Sequence, residues 1–515
     1  MLTSEQKQIH ELLLHPYLLT LTTLILSLYF LLIRKWLHEN PSNNNKKNLP
    51  PSPPRLPILG NLHQLSLLTH RSLKSLGSKH GPLMLLYFGS KPVIILQSAR
   101  AASEIMKTHD LAFADKPNSR TTKRIFYNMK DISVAPYGEH WRKLKSVCIV
   151  HLLSGKRVQE FNFIREQETA RLIEKIGSAR FSVVNLSELF MSLTNDVICR
   201  AAFGRRYGEE EDGRKFLVLL REVMEILGSV SVGDFIPCLK WVNWVSGFEG
   251  KLERVVREVD VFLEMVIQEH MVNQSVDKDE KRENFVDILL DVCKDDKIGV
   301  AIDRDSIKAV ILDILAGGTD TTAATLEWAM TELLRHPSTL EKLQNEVRQV
   351  AKDKRDITDD DLAKMKYLKA VVKETLRLHP PIPLLAHEAR EDIRFMGFDV
   401  PRTTMVITNV WAIGTDPSTW DEPEKFLPER FLSRSIDFKG LDFELIPFGA
   451  GRRGCPGITF AVASVELVLA SLVRKFDWIL PKGMKCDDLD VIEQPGVTIH
   501  RKIPLLAVAS KCCAV

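Results

Sequence analysis

Phe448-Gly449-Ala450-Gly451-Arg452-Arg453-Gly454-Cys455-Pro456-Gly457 sets one cysteine in a glycine-rich loop, between an apolar lead-in and a helix-forming run. Its four glycines let the backbone turn tightly and come close to a flat ligand, which bulkier residues would prevent. Backbone N–H groups in such a loop can point at a sulfur and stabilise it as a thiolate. Arg453, just upstream of the cysteine, brings a positive charge suited to a carboxylate. The stretch therefore suits a thiolate held beneath a planar, carboxylate-bearing ligand. The competing reading is an interior cysteine in a Gly-rich turn, since free Cys often behaves as a small hydrophobe.

Ala309-Val310-Ile311-Leu312-Asp313-Ile314-Leu315-Ala316-Gly317-Gly318-Thr319-Asp320-Thr321-Thr322 is the second informative run. An apolar helical pattern is broken by two glycines and then by polar residues. Paired glycines cost a helix roughly 1–2 kcal/mol relative to alanine, so a plain packing helix would not favour them. They also let a ligand approach the helix, while hydroxyls beside a carboxylate can order water and pass protons. The plainer alternative is a polar helix patch with local Thr back-bonding.

Lys373-Glu374-Thr375-Leu376-Arg377-Leu378-His379-Pro380-Pro381 places Glu374 and Arg377 on one helix face. Alone they read as a surface ion pair worth a few tenths of a kcal/mol. Pro428-Glu429-Arg430-Phe431 further on supplies a possible third member.

The 515-residue chain is 45% hydrophobic and 27% charged, enough for a sizeable core. Its net charge is +3, from 70 basic and 67 acidic residues, which gives no sign of nucleic-acid binding. Eight cysteines (Cys148, Cys199, Cys238, Cys293, Cys455, Cys486, Cys512, Cys513) show neither disulfide-framework nor zinc spacing, so most read as reduced thiols. Leu12 to Ile33 is an uncharged, Leu-rich run of bilayer-spanning length, followed by Arg34-Lys35. A cleaved signal peptide is the main rival, but the run is too long for one and no A-x-A site follows. The Lys/Arg bias puts the C-terminal side in the cytosol. The expected organisation is a lumenal N-terminus (1–11), a transmembrane anchor (12–33), a linker with a proline-rich hinge (34–60) and a cytosolic domain (61–515). The sequons Asn185-Leu186-Ser187 and Asn273-Gln274-Ser275 should then stay unglycosylated. The final Cys512-Cys513-Ala514-Val515 is a poor match to a prenylation box.

Prolines from Leu49 to Gly60 predict a stiff, extended spacer. Gly81 to Leu96 predicts two short strands around a turn, and Ala99–Lys107 turns helical. Helical periodicity runs through Lys143–Leu152, Phe161–Ile176, Leu217–Leu227, Leu252–Val272, Arg304–Arg335 and Leu362–Leu378. Strand patterns return at Ile393–Thr408 and Val497–Val508. The sum is mainly α with a minor β component. No dinucleotide or P-loop glycine motif appears.

Phe448, Gly451, Arg453, Cys455 and Gly457 match every fixed position of Phe-x-x-Gly-x-Arg-x-Cys-x-Gly, which resembles the haem-binding signature of the cytochromes P-450. Gly317-Gly318-Thr319-Asp320-Thr321-Thr322 resembles the oxygen-binding kink motif of that family's long central helix, and Glu374, Arg377 and Arg430 its buried Glu–Arg–Arg triad. The resemblance spans residues 12–515 and implies the cytochrome P-450 fold. It implies haem b with Cys455 as axial thiolate, which favours O–O cleavage. By the same resemblance Arg453, Phe448, Trp141 and Lys145 bind the cofactor, Asp320 and Thr321 deliver protons, and the triad is structural.

Trp141-Arg142-Lys143-Leu144-Lys145 resembles the family's Trp-x-x-x-Arg helix, with the indole N–H of Trp141 directed at a propionate and Lys145 replacing the arginine. His387-Glu388-Ala389-Arg390 stands where relatives often have Pro-Arg-Glu, so His387 reads as a hydrogen-bonded loop histidine. Gly317, alanine in most relatives, should loosen the helix kink. Thr375-Leu376-Arg377-Leu378-His379-Pro380-Pro381, Lys107-Thr108-His109-Asp110-Leu111 and His151-Leu152-Leu153-Ser154 look most like the plant microsomal A-type group.

The implied function is monooxygenation of a small or medium hydrophobic plant metabolite: a terpenoid, coumarin, phenylpropanoid, alkaloid or oxime. Electrons would come from NADPH through NADPH-cytochrome P-450 reductase, docked on a basic face of Arg452, Lys143 and Lys145. The other partners are membrane lipid, the substrate and O2, with no nucleic acid, and the location is the endoplasmic reticulum membrane. Rival readings are a haem-thiolate isomerase or dehydratase that does not use O2, and a non-enzymatic haem-binding protein. By analogy Arg120–Gly138, Val232–Val245, Val310–Gly317, Pro381–Ala386 and Pro495–Ile499 line the pocket, with Phe126, Phe235 and Trp241 available for stacking.

Overall fold

The computed structural model describes residues 19–20, 22–24, 27, 31, 48–179, 182–207, 211–229, 231–276, 284–294, 302–352 and 354–511. The expected span (12–33), the residues before it and Cys512–Val515 lie wholly or mostly outside these. Among the described residues no helix is long and apolar enough to cross a membrane.

The molecule is built around one helix, Arg304–Arg335, which is buried over most of its length. It carries no wide polar stripe, as expected of a helix packed on all sides. Asp303 caps it, accepting from the Ser306 N–H at 3.0 Å. Helices Leu186–Phe203, Lys366–Leu378 and Ile458–Lys475 pack against it. The helix runs unbroken through Gly317 and Gly318.

A four-stranded sheet lies to one side, in the order Leu83–Phe88, Lys91–Leu96, Met405–Asn409, Leu384–Glu388. Only the pairing of Lys91–Leu96 with Met405–Asn409 is parallel. The hairpin appears where the alternation placed it. Periodicity over Leu362–Leu378 resolves into two helices, Asp359–Lys364 and Lys366–Leu378, separated at Met365. Ile393–Thr408 resolves into three strands: Ile393–Phe395, Phe398–Val400 and Met405–Asn409. Helices Thr69–His80 and Pro337–Val350 escaped the reading because few apolar residues mark them.

The proline-rich stretch is docked rather than free. Pro51 accepts from the Leu85 N–H at 2.8 Å, and the Gly89 N–H donates to Leu59 at 3.2 Å. The six described cysteines are unpaired.

Candidate active site

The cysteine loop takes its shape from two left-handed glycines, Gly449 (φ 67°) and Gly451 (φ 65°). At Gly451 a methyl group would sit 2.2 Å from the Met106 carbonyl oxygen, so any side chain is excluded. The Cys455 N–H donates to Phe448 at 2.9 Å, closing the loop. The Gly457 N–H points at the Cys455 sulfur at 3.4 Å. Lys145 reaches in from helix Glu139–Val147 and donates to the carbonyls of Arg452 and Gly454, the latter at 3.0 Å. Burial pushes the Cys455 thiol up, while the Gly457 N–H and the charge of Lys145 favour the thiolate. Cys455 opens onto an internal cavity rather than the outer surface.

That cavity has a volume of about 350 Å³. The cysteine loop with Phe448 lines it, together with Gly317, Gly318 and Thr321 of the central helix. Thr321 Oγ1 donates to the Gly317 carbonyl at 2.6 Å. A methyl on Gly318 would meet the end of the Ile198 side chain at 2.6 Å, which would have to move. A methyl on Gly317 would meet nothing within 4 Å. Asp320 does not line the cavity: its Oδ1 lies 3.0 Å from His500 Nε2.

At the cavity edge, cationic groups crowd together. Arg453 donates to the carbonyls of Ala114 and Ala135 and lies 4.2 Å over the Trp141 ring. Lys116 donates to the Ala386 carbonyl at 2.8 Å. His387 is buried, and its Nδ1 has no partner. Burial, then Arg453 and Lys145, brings Lys116 down to about 7; burial, then Lys116 and Arg453, puts His387 well below the histidine range. Burial brings Arg453 itself down to about 10. Buried like charges around an orphaned ring nitrogen are costly unless an anion joins them. A flat ligand with carboxylates at one edge, as in haem, fits this set.

Glu374 and Arg377 are both 0% exposed in their side chains and form a fork–fork pair at 2.7 and 2.8 Å. Arg430 Nε adds a third contact to Glu374 at 3.0 Å. The surface-pair alternative fails on burial. The remaining guanidinium N–H groups bond the carbonyls of Gly414, Asp421, Glu422, Pro423 and Lys425. The cluster thus ties its helix to the irregular chain that leads into the cysteine loop.

Other expectations change. The Trp141 indole N–H donates to Ile132 at 2.9 Å, so it serves the backbone. His387 sits in a strand, not a loop, and its Nδ1 is unbonded. Lys145 donates to the loop carbonyls, while Arg452 pairs with Asp110 at 3.3 Å and Lys143 with Glu139 at 2.8 Å. Phe126 lies in the core, Phe235 packs on Phe88, and Trp241 points outward at 61% exposure. None of these three lines the cavity; nor does any residue of Val232–Val245 or Pro495–Ile499. Ile132, Ser133, Asp313, Ile314, Pro381 and Ile382 do. Lys116 and His500 carry no local sequence signal. Their partners lie far away in the chain.

A family model described as Cytochrome P450 matches residues 50–504. Cytochrome P450 71A8 of Mentha piperita is 55% identical over 93% of this chain and 93% of its own. Tabersonine/lochnericine 19-hydroxylase of Catharanthus roseus is 50% identical, over 90% of this chain and 93% of its own. A zebrafish cytochrome P450 structure with progesterone superposes with a TM-score of 0.74 at 25% identity, over 86% of this chain and 99% of that one. A cysteine loop and a Gly–Thr helix segment that line one deep cavity define a haem-thiolate enzyme. The chain belongs to the cytochrome P-450 family, with its plant A-type relatives, and is a monooxygenase of that family whose cofactor is haem.

Proposed function

We propose that the chain uses Cys455 as the axial haem thiolate and oxidises a hydrophobic plant specialised metabolite, taking electrons from NADPH through a membrane-bound reductase. The observation that carries this reading is that Cys455 and Thr321 line one cavity. When bound, haem supplies the activation of O2. Gly457 and Lys145 hold the sulfur as thiolate, while Arg453, Lys116 and His387 receive the carboxylate edge. Thr321, tied to the Gly317 carbonyl, presents its hydroxyl to the cavity, and Asp320 behind it moves protons toward that hydroxyl. The apolar lining of Ile132, Ile314, Ile382 and Leu385 excludes water from the substrate. Two relatives bear the names of alkaloid-modifying enzymes, norfluorocurarine oxidase and tabersonine/lochnericine 19-hydroxylase, which favours a polycyclic substrate of that size.

Membrane association is part of the same proposal. Trp241, Trp244 and Val245 are 61%, 78% and 67% exposed on one short helix. The chain just before that helix, at Phe235, touches the Gly89–Ser90 turn, and Gly89 bonds Leu59 of the proline-rich stretch. Exposed tryptophans beside the segment that follows a bilayer span suit a lipid interface. Asn185 is committed as a helix cap and Ser187 bonds Glu327, which leaves that sequon poorly suited to a glycan.

The test is the reduced, carbon-monoxide-bound absorption spectrum. A Soret band of thiolate type in the wild type, absent in Cys455→Ser, supports the reading. NADPH- and reductase-dependent product formation from a panel of plant metabolites completes it. Turnover that needs neither O2 nor reductase would favour an isomerase or dehydratase instead.

A further inference from the structure

His500 sits between two carboxylates of the central helix. Its Nε2 is 3.0 Å from Asp320 Oδ1 and its Nδ1 is 3.4 Å from Glu327 Oε2. Asp320 and Glu327 stand two turns apart on one helix face. Ionised carboxylates only accept hydrogen bonds, so a ring that satisfies both must donate from both nitrogens, which only the imidazolium does. The frame around it is rigid. Glu327 also takes the Arg501 N–H at 3.2 Å and the Ser187 hydroxyl, and Trp328 Nε1 donates to the Ile499 carbonyl at 2.8 Å. Nothing in the sequence joins these residues; the C-terminal turn brings His500 against the helix.

We propose that His500 is a positioning residue for proton delivery: as an imidazolium bridged to Glu327, it holds Asp320 ionised and oriented beside Thr321. This rests on the reading of Asp320 and Thr321 as the proton-delivery pair. The groups facing the ring are Asp320 and Glu327 from the central helix, with Ser187 behind Glu327. Arg221 from helix Glu211–Gly228 acts on Asp320, and Thr498 stands beside the same carboxylate. Arg501, next in the chain, turns its guanidinium to Asp490 and the Ile503 carbonyl. Burial opposes the ring's charge, but the hydrogen bonds and charges of Asp320 and Glu327 outweigh it and raise His500 to about 9. Asp320 is held below the usual aspartate range: burial raises it, and His500 more than offsets that.

Two measurements on the holoenzyme test the proposal. Deuterium exchange at the histidine Cε1 position, read peptide by peptide across pH, gives the midpoint of His500 without any turnover. The expected midpoint is near 9 in the wild type, falling toward an ordinary histidine in Asp320→Asn and Glu327→Gln. The second measurement is the partition of reduced oxygen between hydrogen peroxide and water, with NADPH and reductase and no added substrate. His500→Gln should raise the peroxide share several-fold while keeping haem content and the thiolate-type spectrum. Should that variant fail to fold, Glu327→Gln, which keeps the ring, must shift the partition in the same direction. An ordinary midpoint in the wild type, or a peroxide share unchanged in the variant that folds, would overturn the proposal. A wild type that reduces no oxygen with NADPH would count against the monooxygenase reading instead, and the exchange measurement would still judge His500.

Discussion

Arg377 Nε and Nη2 meet the two carboxylate oxygens of Glu374 at 2.7 and 2.8 Å, with neither side chain exposed to solvent. A pair this deep is favourable only when its remaining lone pairs and protons are also met. Here the Leu427 N–H and Arg430 complete Glu374, and the Gly414, Pro423 and Lys425 carbonyls complete Arg377. Removing one partner strands a buried charge. Glu374→Ala should therefore cost roughly 3–5 kcal/mol and prevent stable haem incorporation. Purified variant protein with a full haem complement, measured against total protein, would refute the structural role.

The two glycines of the central helix should respond oppositely to alanine. A methyl on Gly317 meets no protein atom within 4 Å, so in the haem-free protein Gly317→Ala should gain roughly 0.4–1 kcal/mol from reduced unfolded-state freedom. Gly318→Ala places a methyl 2.6 Å from Ile198, which must move, and stability should fall. Thermal melting of the two variants side by side separates these outcomes. A lower melting temperature for Gly317→Ala would mean that the glycine is needed for something other than helix packing.

Local pattern and spacing disclosed much of this molecule, and the limits are specific. The central helix was legible to the residue because Asp303 marks its start and the apolar run is long. Its continuity through the paired glycines was not, because glycines lower helix propensity without forbidding an α-helix that neighbours hold on all sides. Glu374 and Arg377 were legible as a pair by spacing, while their burial was legible only through the family resemblance and not from local pattern. His387 was misread because a single strand residue in a mixed sheet carries no periodicity to place it. Lys116 lies in no motif, and only the fold sets it beside Arg453.

Acid stability should depend on Glu493. Burial raises this carboxyl, but His70 at 3.1 Å and Arg71 at 2.6 Å more than offset that and bring it down to about 2. Because the folded value lies below the unfolded value of 4.5, the stabilisation is complete above pH 4.5 and is lost as pH falls toward 2. Its size is on the order of 3 kcal/mol. Glu493→Gln should lower the melting temperature at neutral pH and flatten the loss between pH 4.5 and 2. Parallel melting curves for wild type and variant across that window would remove Glu493 from the account.

Lys116 should act with opposite sign in the haem-free and haem-bound protein. Its ammonium is buried beside Arg453 and Lys145, and its one hydrogen bond among the described residues goes to the Ala386 carbonyl. In the haem-free chain that charge is a cost, so Lys116→Met, similar in length and apolar, should raise stability by roughly 1 kcal/mol or more. With haem bound, the same substitution removes a charge-assisted bond to a carboxylate, worth roughly 1.5–3 kcal/mol. Haem should then leave about ten- to a hundred-fold faster, since each 1.4 kcal/mol is a factor of ten. Arg453→Met should also speed haem loss, but with little gain in the haem-free protein, because its guanidinium bonds the carbonyls of Ala114 and Ala135. Melting of haem-free protein and transfer of haem to a scavenging apoglobin measure the two halves separately. If Lys116→Met left both unchanged, the lysine would not face the cofactor, and the cationic edge would reduce to Arg453.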